Sequence, residues 1–248
     1  MERILRLKDG VDSLFNNQNT NALWESDGNL RLMHFVMQSH QLSRKYLDRI
    51  LEARERDINV KQYTTMQSLV EHTELSCGSL LHLALQSAGV DQSDSEHVIY
   101  KAACEIGRAH GLTNALRTSI PVASTGKIII PADLCTKYGV KSPRYLLSAL
   151  GQGDEECRGH LKSAVRDIAA VARSHLCNAR ILRDSVATST NGDRALSALI
   201  AGVASETFLN RLENHEFDLT NKNLRQVGFL EHLSCSSRIL IASWRKRY

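Results

Sequence analysis

Apolar residues recur along this 248-residue chain at helical rather than strand spacing. Over residues 3–15, Ile4, Leu5, Leu7, Val11, Leu14 and Phe15 fall largely to one side of a helix, with Lys8, Asp9 and Asp12 on the remaining surface. The asparagine-rich run Asn16-Asn-Gln-Asn-Thr-Asn21 is turn material and ends that helix. A second helix is predicted over 29–40 through Leu30, Leu32, Met33, Phe35 and Val36. A third runs from Ser43, an N-cap residue type, to about Asp57, with Leu47, Ile50 and Leu51 toward the core. Further helices are expected over 65–88, over 93–119, briefly after Pro143, and over 155–185, 195–214 and 223–244, with Ala187–Asp193 as the clearest loop of the second half. No repeat at a solenoid period is present. The pattern predicts an all-α bundle of about eight helices.

Composition supports one domain. Hydrophobic residues make up 42% of the chain, and Pro121, Pro131 and Pro143 are its only prolines, so long tracts are left to good helix formers. A length of 248 residues is routine for one domain with a large core, and residues 1–248 are read as one unit. No run of eighteen apolar residues exists to span a bilayer as a helix.

The candidate chemistry thins out on inspection. Cys77, Cys104, Cys135, Cys157, Cys177 and Cys235 contain no C-x-x-C pair, so neither a structural zinc site nor a disulfide framework is expected, and the cysteines read as reduced thiols. Cys104 and His110 are six apart and do not share a helix face as a catalytic dyad should. His160, His175 and His232 stand isolated in sequence and read as structural or solvated. Asp48, Glu52 and Glu55 line one stripe, but they alternate with Arg44, Arg49, Arg54 and Arg56, the pattern of a solvated face laced with ion pairs. Glu71 and Glu74 form one i, i+3 pair, and Asp154, Glu155 and Glu156 sit at a predicted helix start, where acids favour the dipole.

The stretch Ile106-Gly-Arg-Ala-His-Gly-Leu-Thr-Asn-Ala-Leu-Arg117, continuing through Gly126 to Pro131, resembles the second signature of squalene/phytoene synthases. In that family the segment reads Gly-x-Ala-x-Gln-Leu-Thr-Asn-x-x-Arg-Asp-x-x-x-Asp, then a Gly-Arg-x-x-x-Pro turn, and its two aspartates hold magnesium against the substrate diphosphate. Thr118 and Val122 stand where those aspartates would be. Two carboxylates four apart on a helix share a face and grip a hard cation; a hydroxyl and a methyl do not. Pro121 is expected to interrupt the helix here. Arg117 keeps the chemistry to meet a phosphate, and equally that of a surface or interhelical ion pair.

The resemblance runs from Arg3 to Tyr248. Tyr63-Thr-Thr-Met through Ser76-Cys-Gly-Ser-Leu-Leu81 is similar to the family's entry into its cavity-lining helix, and Leu51–Asp57 to its acidic turn. The family's first aspartate motif lies upstream of the helix that residues 1–15 resemble, so neither metal cluster is expected. Arg117 followed by a non-acid, the Leu134–Val140 step and the closing Ser243-Trp-Arg-Lys-Arg-Tyr248 resemble a non-catalytic branch that serves assembly of mitochondrial respiratory complex I.

That branch implies an isoprenoid-synthase-like fold, no cofactor and no metal, protein partners in a mitochondrial assembly intermediate, and peripheral contact with the matrix face of the inner membrane. The ancestral cavity or its rim, at Tyr63, Leu81, Leu112, Asn114 and Arg117, is the expected client or lipid site. A net charge of +4 is modest for a nucleic-acid binder and suits an anionic membrane or an RNA-rich assembly. The tail Trp244, Arg245, Lys246, Arg247 and Tyr248 fits either contact, or the packing of a terminal helix. Two alternatives stay open: the same scaffold in mitochondrial ribosome assembly with rRNA as partner, and residual prenyl-diphosphate transfer. The opening residues Met1–Lys8 lack a secretory apolar core and are acidic for a mitochondrial presequence, so the mitochondrial placement comes from the resemblance.

Overall fold

A computed structural model describes residues 2–15, 27–90, 97–140, 155–221, 224 and 236–242. The fold is built around α6 (Val98–Ala123), a 26-residue helix buried on nearly every side. Ile99, Ile106, Leu112 and Leu116 fill its contacts, and alanines and glycines between them let neighbouring helices approach closely. A helix surrounded in this way loses the one-sided pattern of a surface helix.

Three helices open the described part of the chain. They are α1 (Glu2–Phe15), α2 (Gly28–Ser39) and α3 (Arg44–Asn59), with α1 packed on α3 and α2 on α1. Only Ile4, Gly10, Val11 and Leu14 of α1 are buried; Leu5 and Leu7, expected on that face, are exposed, so the apolar stripe is narrower than predicted. Asp27 caps α2 by accepting from the Asn29 amide at 2.8 Å. Ser43 occupies the predicted N-cap of α3 but makes no side-chain cap there. Its side chain and amide are instead engaged by Gln86, whose Oε1 accepts from the Ser43 amide at 2.9 Å and whose Nε2 donates to the Ser43 hydroxyl at 2.7 Å.

The predicted 65–88 helix is α4 (Met66–Thr73), a π turn at Glu74–Gly78, and α5 (Ser79–Ser87). Thr65 and Ser68 form a reciprocal capping box at its start. After α6 comes α7 (Ala132–Tyr138), a short helix that the periodicity did not signal, ended by Gly139 at φ 71°. Then follow α8 (Glu155–Ile181), α9 (Arg183–Thr188), α10 (Gly192–Leu199) and α11 (Ala201–Asn214). The expected 155–185 and 195–214 helices are therefore each split, and most of the expected 187–193 loop is taken into helix, leaving Ser189–Asn191. Glu155 and Glu156 do sit in the first turn of α8. Pro121 does not stop α6, which continues to Ala123. One missing amide costs little when the helix has only two more residues to run.

Among the described residues the only β-type pairing is an isolated parallel bridge between Gln62 and Ile128. It ties the loop before α4 to the loop after α6. Two apolar clusters make the core, a larger one around Leu112, Leu116, Leu161 and Ile168, and a second around Leu81, Leu85, Ile99 and Ile106. Each fully buried leucine or isoleucine there contributes about 1.5–3 kcal/mol by leaving water. The asparagine-rich turn, the helix after Pro143, Cys235, His232, most of 223–244 and the tail Trp244–Tyr248 lie outside the described residues.

Candidate functional site

The π turn and α6 meet through glycines. A Cβ on Gly107 would lie 2.5 Å from the Gly78 Cα, and one on Gly111 would lie 2.3 Å from the Thr73 Cβ. Gly107 and Gly111, the second standing where the synthase signature has glutamine, thus bring α6 into close contact with the segment across it. That contact sets two polar clusters on either side of the π turn.

The first cluster is a chain of charges across four elements. Glu74, in the π turn, accepts from Arg49 of α3 at 3.0 Å and from both Nη2 and Nε of Arg108 of α6, at 2.7 and 3.0 Å. Arg108 also reaches Glu105 at 2.7 Å, and Glu105 meets the His175 Nδ1 at 2.8 Å and the Asn178 amide at 3.1 Å. Burial pushes both carboxyls up, but hydrogen bonds and charge from Arg108 and Arg49 at Glu74, and from His175, Asn178 and Arg108 at Glu105, outweigh it. Both carboxyls are held below the ordinary range. Beside this chain the rings of Tyr46, His82 and Tyr100 stack at 4.8 and 4.5 Å between centroids. Burial, then the neighbouring Tyr100 and Cys104, push the Tyr46 phenol up to about 12. Its hydroxyl is buried with no hydrogen-bond partner. Cys104 meets His82 Nε2 at 3.4 Å, and burial pushes its thiol up, away from nucleophile chemistry.

The second cluster lies around Asp57. Its carboxylate accepts from Arg54 at 2.8 Å, meets His72 Nε2 at 3.1 Å and accepts from the Tyr63 hydroxyl at 3.4 Å, while Lys127 donates to its main-chain carbonyl. Burial raises the Asp57 carboxyl, and His72 and Arg54 more than offset that, leaving it lowered. Tyr63 is pushed up by burial and by the Asp57 charge. The Tyr63 and His72 rings lie 5.1 Å apart, and the second His72 nitrogen, Nδ1, is buried without a partner. Tyr63 is held in place by its own backbone, whose carbonyl accepts from the Ala132 amide at 2.8 Å.

The predicted rim residues divide. Tyr63 packs against the cluster that contains Leu112, and Leu112 is fully buried. Leu81 belongs to the second cluster. Asn114 is half-buried beside the Cys77 thiol, and Arg117 is exposed, its guanidinium 5.9 Å from the Phe208 ring centroid. Thr118 is exposed and donates to the Asn114 carbonyl at 2.8 Å; Val122 is half-buried. A hydroxyl turned back on its own helix and a valine methyl do not fit the magnesium that the synthase signature implies, and among the described residues no three His, Cys, Asp or Glu side chains converge as metal ligands.

Other sequence expectations resolve locally. His175, isolated in sequence, belongs to the Glu105 network, and His110 meets Ser205 at 3.1 Å rather than Cys104. Among the described residues, Cys77, Cys104, Cys135, Cys157 and Cys177 are free thiols. The acids of α3 are paired: Asp48 with Arg44, Glu52 with Arg56 and Glu55 with Lys8. Tyr46, His82, Tyr100 and His72 were missed. Their signal exists only across helices, since no two of the stacking partners share one.

Known proteins share this architecture. The squalene synthase HpnC of Alicyclobacillus acidocaldarius superposes with a TM-score of 0.66 at 15% identity, covering 88% of this chain and 75% of its own. A ligand-bound dehydrosqualene synthase gives 0.66 at 18% identity over 99% and 87%. In sequence, the NADH dehydrogenase (ubiquinone) complex I assembly factor 6 of Mus musculus is 32% identical over 213 residues, 86% of this chain and 58% of its own length. The homologue of that name from Drosophila melanogaster is 31% identical over 224 residues, 88% of this chain and 62% of its own. The chain thus spans about three fifths of the curated relatives it matches. The squalene/phytoene synthase family model matches residues 1–231, and the chain belongs to that family.

Proposed function

We propose that this protein is a non-catalytic assembly factor that binds protein in early mitochondrial complex I biogenesis. One observation carries the non-catalytic part. At the two α6 positions where the synthase signature places its aspartates stand a self-bonded threonine and a valine, Thr118 and Val122. A prenyl diphosphate leaving group at that site would depart without a metal to neutralise it. The complex I part is supported by the relatives from Mus musculus and Drosophila melanogaster, whose names are those of a complex I assembly factor.

On this reading the fold is retained for recognition, and the protein works in the mitochondrion, in the matrix or at the matrix face of the inner membrane. The client contacts the old cavity rim at Tyr63, Asn114 and Arg117, while Leu81 and Leu112 build the core beneath. The test is affinity purification of the tagged protein from mitochondria, with proteomic and RNA analysis of what accompanies it. Early matrix-arm subunits of complex I are the expected companions. Ribosomal proteins with rRNA would move the scaffold to ribosome assembly, and turnover of a prenyl diphosphate would return it to the enzymes.

A further inference from the structure

The ring stack of Tyr46, His82 and Tyr100 ends at an open cleft. Tyr46 and His82 are buried, Lys45 lies over the Tyr46 ring at 4.8 Å, and only Tyr100 is half-buried. Tyr100 lines a cavity of about 480 Å³ between the first half of α6 and the end of α8, with Ile181 and Leu182 also in its wall. Ile181 is 77% exposed, more than any other large apolar side chain among the described residues. Apolar area of this kind is relieved by a partner that covers it. The cleft is separate from the old cavity rim: at roughly 1.5 Å per residue, α6 places Cys104, in the cleft wall, about 21 Å from Thr118.

The polar part of the wall favours an acidic occupant. Lys101 and Arg108 line the cleft with a single acid, Glu105. That acid is already engaged by Arg108, His175 and Asn178. Nε, Nη1 and Nη2 of Arg108 each donate once, to Glu74 or Glu105, so two of the five guanidinium N–H groups are left for a ligand. A carboxylate arriving here meets two cations and one acid already occupied by its neighbours, whereas an ammonium group meets an excess of its own charge. A small aromatic acid held on Tyr100 would leave Ile181 in water. A polypeptide lying across the cleft covers both, with a ring from one residue and carboxylates from its neighbours.

We propose that the cleft between α6 and α8 docks an acidic segment of a partner protein, whose aromatic side chain continues the Tyr46–His82–Tyr100 stack as a fourth ring. That ring packs beside Ile181 and Leu182, and the flanking carboxylates of the segment meet Lys101 and Arg108. This surface is additional to the rim contact proposed above, and it rests on that reading only in making the occupant a protein. Peptide binding at the cleft and recovery of complex I subunits can fail separately.

The test is titration of the full chain, isotope-labelled at its isoleucine and leucine methyls, with the probe peptide acetyl-Asp-Glu-Trp-Glu-Asp-amide. The Ile181 and Leu182 methyl signals are expected to shift and saturate, while Ile58, exposed at the end of α3, stays in place. Replacing the peptide tryptophan by alanine should weaken binding about 30-fold, as loss of a central anchor does. A peptide with lysine in place of each acid should not bind. Lys101→Glu should weaken the acidic peptide about fivefold. Ile181→Ser, too exposed to disturb the core, weakens it as well, and Leu32→Ser, equally exposed on α2, leaves it at wild type. The proposal is overturned if no methyl shifts, if the lysine peptide binds as well, or if Ile58 moves in place of Ile181. Indole-3-acetate binding as tightly as the peptide would also overturn it, by making the cleft a small-molecule site.

Discussion

Gly107 of α6 faces Gly78 of the π turn so closely that a Cβ on Gly107 would lie 2.5 Å from the Gly78 Cα. The obstacle is backbone, which cannot rotate aside. Gly107→Ala is therefore expected to destabilise by about 1–3 kcal/mol, as overpacking does. The matched substitution Gly159→Ala in α8 meets nothing within 4 Å and should gain about 0.5–1 kcal/mol from helix propensity. Urea midpoints of the two variants moving in opposite directions would bear this out; equal shifts would refute the contact.

Glu74 sits between Arg49 and Arg108, with all three side chains no more than 30% exposed. Glu74→Gln leaves two partly buried cations without their counter-ion and is expected to cost about 2 kcal/mol, below the full penalty of a buried pair because solvent still reaches them. Glu2→Gln, which breaks the exposed pair with Arg6, should stay within about 0.5 kcal/mol of wild type. Chemical denaturation of both variants checks the contrast.

That network and the Asp57 cluster together make stability pH-dependent on the acid side. Glu74, Glu105 and Asp57 are all lowered in the folded state, so their contribution is present above the unfolded-state values of 4.5 and 3.8 and is lost as pH falls through the folded ones. Unfolding free energy should thus decline on acidification below about pH 4.5, and decline less steeply in Glu74→Gln. A denaturation series in acid buffers measures both slopes. Parallel slopes would contradict the assignment.

Tyr46 offers the opposite kind of test. Its ring is fully buried and stacked on His82, yet its hydroxyl has no partner. Tyr46→Phe keeps the stack and removes an unsatisfied polar atom, so it should be neutral to stabilising by about 1 kcal/mol. A loss of stability in thermal melts would mean that the hydroxyl is satisfied after all.

Much of this was legible in the sequence, and for identifiable reasons. Periodicity located α3, but of the three core residues it named only Leu51 is buried, with Leu47 and Ile50 half-buried and Tyr46 in the core instead. It failed at α10 and α11, where the chain breaks at Ile200 without a proline or glycine, and at Pro121, which sits too near the end of α6 to stop it. Gly107 was readable as family pattern, but its contact with Gly78 and that of Gly111 with Thr73 were not. The Arg49–Glu74–Arg108–Glu105–His175 chain joins residues up to 126 positions apart and depends on how the π turn aims Glu74. Local spacing holds no record of that.

The most direct test of the central claim is native-gel analysis of respiratory complexes in cells depleted of this protein and rescued with wild type, or with a version carrying Arg117→Ala and Thr118→Ala. Depletion is expected to lower assembled complex I while mitochondrial translation holds steady, and wild type to restore it. If the Arg117→Ala, Thr118→Ala version impairs rescue, it should do so with no change in any prenyl product. Normal complex I on depletion, or a general loss of mitochondrial translation, would contradict the account.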